Sequence, residues 1–223
     1  MPSTDQDVRP DTGARFAQAL RTATSTSHED AAGSAFMSAL VAGELDRRAY
    51  AELVAQHWYM YVELEAAAAV MRDDPVAGRF VFDGLNRVRH IEADLEHLLG
   101  PDWPAQITPT ESNVRYCDHL RAVATTWPGG FVAHHYTRYL GDLSGGQFVG
   151  RAVARELGFE SGDGVRFYRF DDLDDVDAFK AEYRSRLDAA PWDADEQARI
   201  IGEVLTAYRF NTEVLADLDR TIA

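Results

Sequence analysis

The chain has a single cysteine, Cys117, in 223 residues. That excludes an intramolecular disulfide and a zinc site built on paired cysteines, and it fits a protein expected in a reduced cytoplasm. Lysine is as scarce: all but one of the 22 basic residues are arginine, the exception being Lys180. Coding bias in a GC-rich genome accounts for the arginines and makes the lone lysine stand out. Excess positive charge is missing, the formal net charge being −15, which argues against nucleic acid and anionic membranes as main partners. No apolar run approaches the roughly 18–20 residues of a membrane span. The polar, acidic stretch Met1 to Asp11 lacks the basic and apolar regions of a secretory signal. Residues 1–12 are expected to be a disordered leader, and no membrane anchor is expected after the last helix. Strand signals are weak, since Asp83-Gly84 and Asp163-Gly164 lack the alternating apolar flanks of a hairpin. Glu-x-x-His, which a di-iron helical bundle needs, occurs nowhere.

What is present is helical periodicity. Amphipathic segments are expected over about 13–31, 36–41, 46–71, 75–99, 111–126, 131–157, 172–189 and 193–218. Pro75 suits the first turn of the fourth segment, Gly100-Pro101 stops it, and Pro128-Gly129-Gly130 separates the fifth from the sixth. Gly158 suits the position just past a helix end, and Asp193-x-x-Glu196 reads as a capping box. With short connectors and no internal repeat, the expectation is one all-α domain over 13–223.

Candidate chemistry is sparse. His90, Asp94 and His97 share a helix face at a spacing that suits a metal, but Arg87, Arg89, Glu92 and Glu96 make that face a charged surface. Cys117 is flanked by Asp118 and His119, which point elsewhere on a helix, so it reads as a small core residue rather than a nucleophile. Several histidines qualify as ligands of a cofactor iron: His28 late in the first helix, and His134 and His135 at the start of the sixth. His57 lies on an apolar face, where a histidine satisfied within the core is expected. Spacing alone does not choose among them. Lys180 and Arg184 are one turn apart, a pair suited to a dianionic ligand edge.

The most informative run is Tyr136-Thr137-Arg138-Tyr139-Leu140-Gly141-Asp142-Leu143-Ser144-Gly145-Gly146-Gln147. Each of its glycines costs a helix roughly 1 kcal/mol relative to alanine. A helix that carries three of them bends there or brings its backbone close to something. Asp142 is the only carboxylate in the run. Bare glycine backbone with one acid beside it suggests a flat ligand lying against the helix.

This run is very similar to the signature of haem oxygenases. Val132-Ala133-His134, Ser34-Ala35-Phe36-Met37 after His28, Lys180 to Arg186 with its Tyr-Arg-Ser-Arg core, and Asn211 match the family in order. The similarity spans roughly Phe16 to Leu218 and is closest to soluble bacterial members. It implies haem b between the first helix and a kinked, glycine-bearing distal helix, with His28 as the iron ligand. It implies Gly141, Gly145 and Gly146 as the distal wall, and Arg21, Tyr136, Lys180 and Arg184 at the propionates. Tyr61, Arg138, Asp142 and Asn211 match a distal hydrogen-bond network, and Met37 and Tyr208 match pocket walls. The implied reaction uses O2 and external electrons to convert haem to biliverdin IXα, ferrous iron and CO. A ferredoxin with its reductase, or an NAD(P)H-dependent reductase, is the implied donor, because no flavin or iron–sulfur motif is present. A non-catalytic haem carrier or sensor of the same fold is the alternative, and it would need no Asp142 network. A thiaminase-like enzyme shares the architecture but uses a catalytic cysteine, and Cys117 lies in no matching motif. Two positions depart from the pattern. Ala32 stands where the family commonly has a glutamate that orients the imidazole, and Ser25 stands where a basic residue is often found.

Overall fold

The structure is a computed structural model that describes residues 15–159 and 161–222. The expected leader over 1–12 lies outside the described residues, as does residue 13, where the first helix was expected to begin. Among the described residues every regular element is helical: α1 (Phe16–Ala32), α2 (Ala35–Ala42), α3 (Arg47–Met71), α4 (Val88–Leu99), α5 (Glu111–Val123), α6 (Pro128–His135), α7 (Gln147–Leu157), α8 (Val176–Ala189) and α9 (Ala194–Ile222). Between α6 and α7 the chain stays helical through two wider turns, Tyr136–Leu140 and Asp142–Gly146. The all-α expectation therefore holds.

The long helix α3 is the centre of the packing. Asp46 accepts from the Ala49 amide and starts it, and at 25 residues it is roughly 37 Å long. Its buried residues, among them Tyr50, Leu53, Val54, Met60, Tyr61 and Leu64, face α4, α5, α6 and α9. The first helix is different. It buries only Phe16, Ala17, Leu20 and Thr24, all in its first half. Asp188 of α8 accepts from the Ala17 amide and ties that end down. The second half of α1 has no apolar stripe to bury, and His28 is exposed there.

One expected helix is largely wrong. The segment from Pro75 to Leu99 is helical only from Val88; before it lie two tight single turns, Ala77–Phe80 and Asp83–Leu85. Asp74 accepts from the amides of Val76 and Ala77, which closes a local turn. Arg87 is fully buried and gives its guanidinium to the carbonyls of Gly84, Leu85, Asn86 and Arg169. It also lies 4.2 Å from the Phe170 ring centroid. Glu65 of α3 accepts from the amides of Arg87 and Val88 and so caps α4 from outside. These tertiary bonds outweigh local periodicity.

Smaller differences have local causes. The α5 helix ends at Val123 rather than near Thr126, where the amides of Thr126 and Trp127 both turn onto the Val123 carbonyl. Helix α6 starts at Pro128 rather than Phe131. Gly129 and Gly130 are its first turn, where a Cβ would come within 2.8 Å of Glu196 and 2.5 Å of Val123. They let α6 press against α9 and α5. Helix α8 starts at Val176, capped by Asp175. Only half of the capping box forms: Asp193 accepts from the Glu196 amide, while the Glu196 carboxylate takes Trp127 and Arg199.

The core includes two neutral histidines. His134 is hydrogen-bonded to the Tyr116 hydroxyl (3.2 Å) and to Glu203 (2.9 Å), and the same carboxylate oxygen takes His119 at 2.6 Å, which joins α5, α6 and α9. His135 is hydrogen-bonded to Tyr183 at 2.9 Å, and burial pushes it down to about 3. A histidine held below its ordinary range binds fewer protons folded than unfolded. Its stability contribution is therefore present above about 6.5 and is lost as pH falls toward 3, by about 1.4 kcal/mol per pH unit for each such group. Chemical denaturation between pH 7 and pH 4 is expected to show a shallower acid loss in His135→Gln than in the parent. Equal slopes would place the proton uptake elsewhere.

Candidate functional site

Two adjoining cavities form one slot between the second half of α1 and the bent stretch linking α6 to α7. The outer one is lined by Arg21, Thr24, Ser25, His28, Tyr136, Ser144 and Arg184, among others. The inner one is lined by His28, Ala32, Met37, His57, Met60, Arg138, Asp142, Gly145, Gly146, Tyr168 and Asn211. His28, Gly141 and Tyr208 line both. The slot thus has a polar, cationic mouth and a mostly apolar interior, with one histidine at its flank.

The glycines of the bent stretch and the first turn of α7 divide into two kinds. Gly146 and Gly150 are packed by the protein itself: an added Cβ would lie 3.2 Å from Tyr168 in the first case and 2.7 Å in the second. Gly141 and Gly145 have no such neighbour; a Cβ built on either meets nothing within 4 Å. Neither has positive φ, so neither backbone conformation demands glycine. Protein packing explains two of the glycines and leaves Gly141 and Gly145 facing open space in the slot.

Behind that surface lies a buried polar network. Tyr61 donates to Asp142 from α3. Arg138 donates to Asn211 of α9 at 3.0 Å and lies 5.2 Å from the Tyr61 ring centroid. Burial raises the Asp142 carboxyl above its ordinary range, against the opposing pull of Arg138 and the Tyr61 hydrogen bond. Burial opposes the charge on Arg138, but Tyr61 and Asp142 beside it prevail and hold it protonated. The carboxyl is thus held by the Tyr61 hydroxyl on one side, near the Arg138 charge, while its residue lines the slot on the other. That arrangement suits proton exchange with something in the slot.

On the opposite flank His28 makes no hydrogen bond among the described residues, and its ring stands edge-on to Tyr208 at 6.1 Å. Ala32 lines the slot one turn later and offers no acceptor to orient the imidazole. At the mouth, Arg21 and Arg184 lie on facing helices and pair with no carboxylate among the described residues. Tyr136 lies with them, and their charges oppose the rise that burial gives its hydroxyl. Lys180 sits one turn before Arg184, paired with Asp177 at 2.8 Å, and does not line the slot. Tyr61 also stands behind the lining.

Other candidates do not assemble. Asp94 is buried and accepts from the amides of Arg166 and Phe167, while His97 packs edge-on to Phe159. Cys117 is buried and pushed up to about 12 by burial, which makes it a poor nucleophile. His134 and His135 are enclosed by the partners described above. His57 corrects an expectation: its Nδ1 has no partner, and the ring lines the inner cavity. The signal in the sequence was the histidine itself on a face otherwise apolar.

Fold and slot together define a helical protein with a flat-sided cavity between a histidine-bearing helix and bare glycine backbone. The Heme oxygenase family model matches residues 14–217. The chain belongs to the haem oxygenase family. Heme oxygenase 2 of Synechocystis sp. is 37% identical over 93% of this chain and 84% of its own length. The crystal structure of that organism's heme oxygenase-2 with heme and NO superposes with a TM-score of 0.89 at 36% identity, over 94% of this chain and 87% of that one. Its heme oxygenase-1, in complex with heme, gives 0.87 at 33% identity, over 94% and 96%.

The two kinds of glycine behave differently on substitution. Gly145→Ala is expected to leave the ligand-free protein as stable or more stable, by up to roughly 1 kcal/mol, while weakening uptake of a flat ligand. Gly150→Ala is expected to destabilise the ligand-free protein by about 1–3 kcal/mol. Thermal melts of both, with and without haemin, check this.

Proposed function

We propose that this chain cleaves haem at the α-meso carbon to biliverdin IXα, ferrous iron and CO, with the slot as its active site. The observation that carries the reading is the open space beside Gly141 and Gly145, which a flat macrocycle fills and an alanine would obstruct. When bound, haem supplies both the iron that takes O2 and the porphyrin carbon that is oxidised.

In this reading His28 would hold the iron from the α1 side, and the glycine side would be left for O2. Glycines put no side chain near the reacting atoms. Gly141, Gly145 and Gly146 therefore shape the space by backbone alone and limit which ring edge reaches it. Asp142, held by Tyr61 and Arg138, keeps a water in place and passes protons through it; Asn211 fixes the Arg138 guanidinium. Arg21, Tyr136 and Arg184 hold the propionates, and Lys180 joins them by leaving Asp177. Charge-assisted bonds at one edge set the in-plane rotation of the ring and hence the α position. Met37 and Tyr208 close the sides.

Electrons come from a separate ferredoxin system or reductase. The arginines at the mouth, on a protein with net charge −15, give an acidic donor a place to dock beside the ring edge. A chain with one cysteine needs no disulfide, which suits a cytoplasmic setting.

Haemin titration followed by ascorbate or a reductase tests the reading. Asp142→Asn is expected to keep the Soret band and lose biliverdin formation roughly a hundredfold. Unchanged turnover overturns the role of Asp142, and a stable Soret band in the parent indicates a carrier. Chromatography of the product is expected to give the α isomer; a β or δ isomer contradicts the orientation argument. His28→Ala is expected to lose the imidazole-type ferric spectrum and regain it with added imidazole. An unchanged spectrum would assign the ligand to another histidine.

A further inference from the structure

His57 is a polar residue of the inner cavity that the network around Asp142 leaves out. It lies on α3, one turn before Tyr61, with its ring 4.8 Å from that of Phe167 and 6.4 Å from that of Tyr61. It lines the cavity together with Arg138, Gly141, Asp142 and Gly145. Its Nδ1 is sealed from solvent without a hydrogen-bond partner, although the residue as a whole keeps some accessible surface. That surface is on the cavity side. The other buried side-chain polar atoms without a partner, among the described residues, are Nε of Arg138 and the Tyr168 hydroxyl. Both belong to residues that line the same cavity. Native cores satisfy their buried polar groups almost everywhere, and exceptions gathered at one place mark a site whose partners come from outside the chain.

Burial, and after it the charge of Arg138, keeps the ring well below the usual histidine range, so it is neutral. A neutral imidazole carries one proton. On Nδ1 that proton would be a buried donor with no acceptor. On Nε2 it leaves only an unpaired acceptor buried, the milder deficit, and presents the N–H to the cavity. We propose that His57 is a positioning residue of this site: a fixed, neutral Nε2–H donor that holds a water or a small anion in the cavity beside Asp142. It forms a second polar arm, separate from the one made by Tyr61, Arg138 and Asn211. The inference rests on the reading of the slot as a haem site and assigns a residue that reading does not require.

The test uses fluoride, which binds ferric haem iron and accepts hydrogen bonds. With the full chain loaded with haemin, His57→Leu is expected to weaken fluoride binding roughly threefold to tenfold and to shift the charge-transfer band of the complex. His57→Gln, which restores an N–H of similar reach, is expected to recover most of the affinity. Haemin affinity and the far-UV spectrum are expected to stay the same in both. His57→Met, of similar length without a donor, gives the same comparison should the leucine variant fail to fold. Equal fluoride affinity in all the proteins overturns the proposal. So does a bis-imidazole spectrum in the parent that disappears in His57→Leu, since His57 would then be an iron ligand. A parent protein that takes up no haemin fails at the earlier step and overturns the haem reading itself.

Discussion

The space beside Gly141 and Gly145 is the constraint around which the molecule is organised. Elsewhere on the same helical path glycine is a packing device. Gly129 and Gly130 bring α6 onto α9 and α5, and Gly150 lies against Tyr168. At Gly141 and Gly145 no protein atom claims the room that a side chain would take. A helix that bears the intrinsic cost of those glycines without packing on them keeps that room for something that is not part of the chain. The two wide turns at 136–140 and 142–146 bend the helix at the same place. On the other flank, the second half of α1 forgoes an apolar stripe and leaves His28 accessible.

The rest of the site answers to that space. Tyr61 donates to Asp142 at the wall of the cavity, and Arg138 is fixed by Asn211. Residues of α3, α9 and the bent stretch therefore converge behind the glycines, and a carboxyl lines the slot beside them without a side chain at Gly141 or Gly145 crowding it. The positive charge at the mouth and the negative charge of the whole chain are separate devices. One is local to Arg21 and Arg184, the other is spread over the chain.

Much of this was legible in the chain. The helical class followed from periodicity and missing strand signals, and the glycine run with one acid identified the face of the slot. The failures share a cause. The helix expected from Pro75 is broken by Glu65 and Arg87, whose partners are distant in sequence or backbone carbonyls. Pro128-Gly129-Gly130 read as a separator because its glycines serve a close helix contact that periodicity does not register. His57 read as a satisfied core residue because a sequence shows that a histidine is on an apolar face but not whether its nitrogens find partners. Lys180, legible as the lone lysine, is paired with Asp177 of the preceding turn. Ala32 was visible as a departure, and the structure adds that His28 has no substitute acceptor among the described residues.

A crystal structure of the haemin-loaded protein tests the central claim most directly. The account predicts the porphyrin lying flat against the backbone of Gly141 and Gly145, with His28 on the iron from the opposite face and the propionates toward Arg21 and Arg184. A ring bound outside the slot, or an iron held from the glycine side, would contradict it.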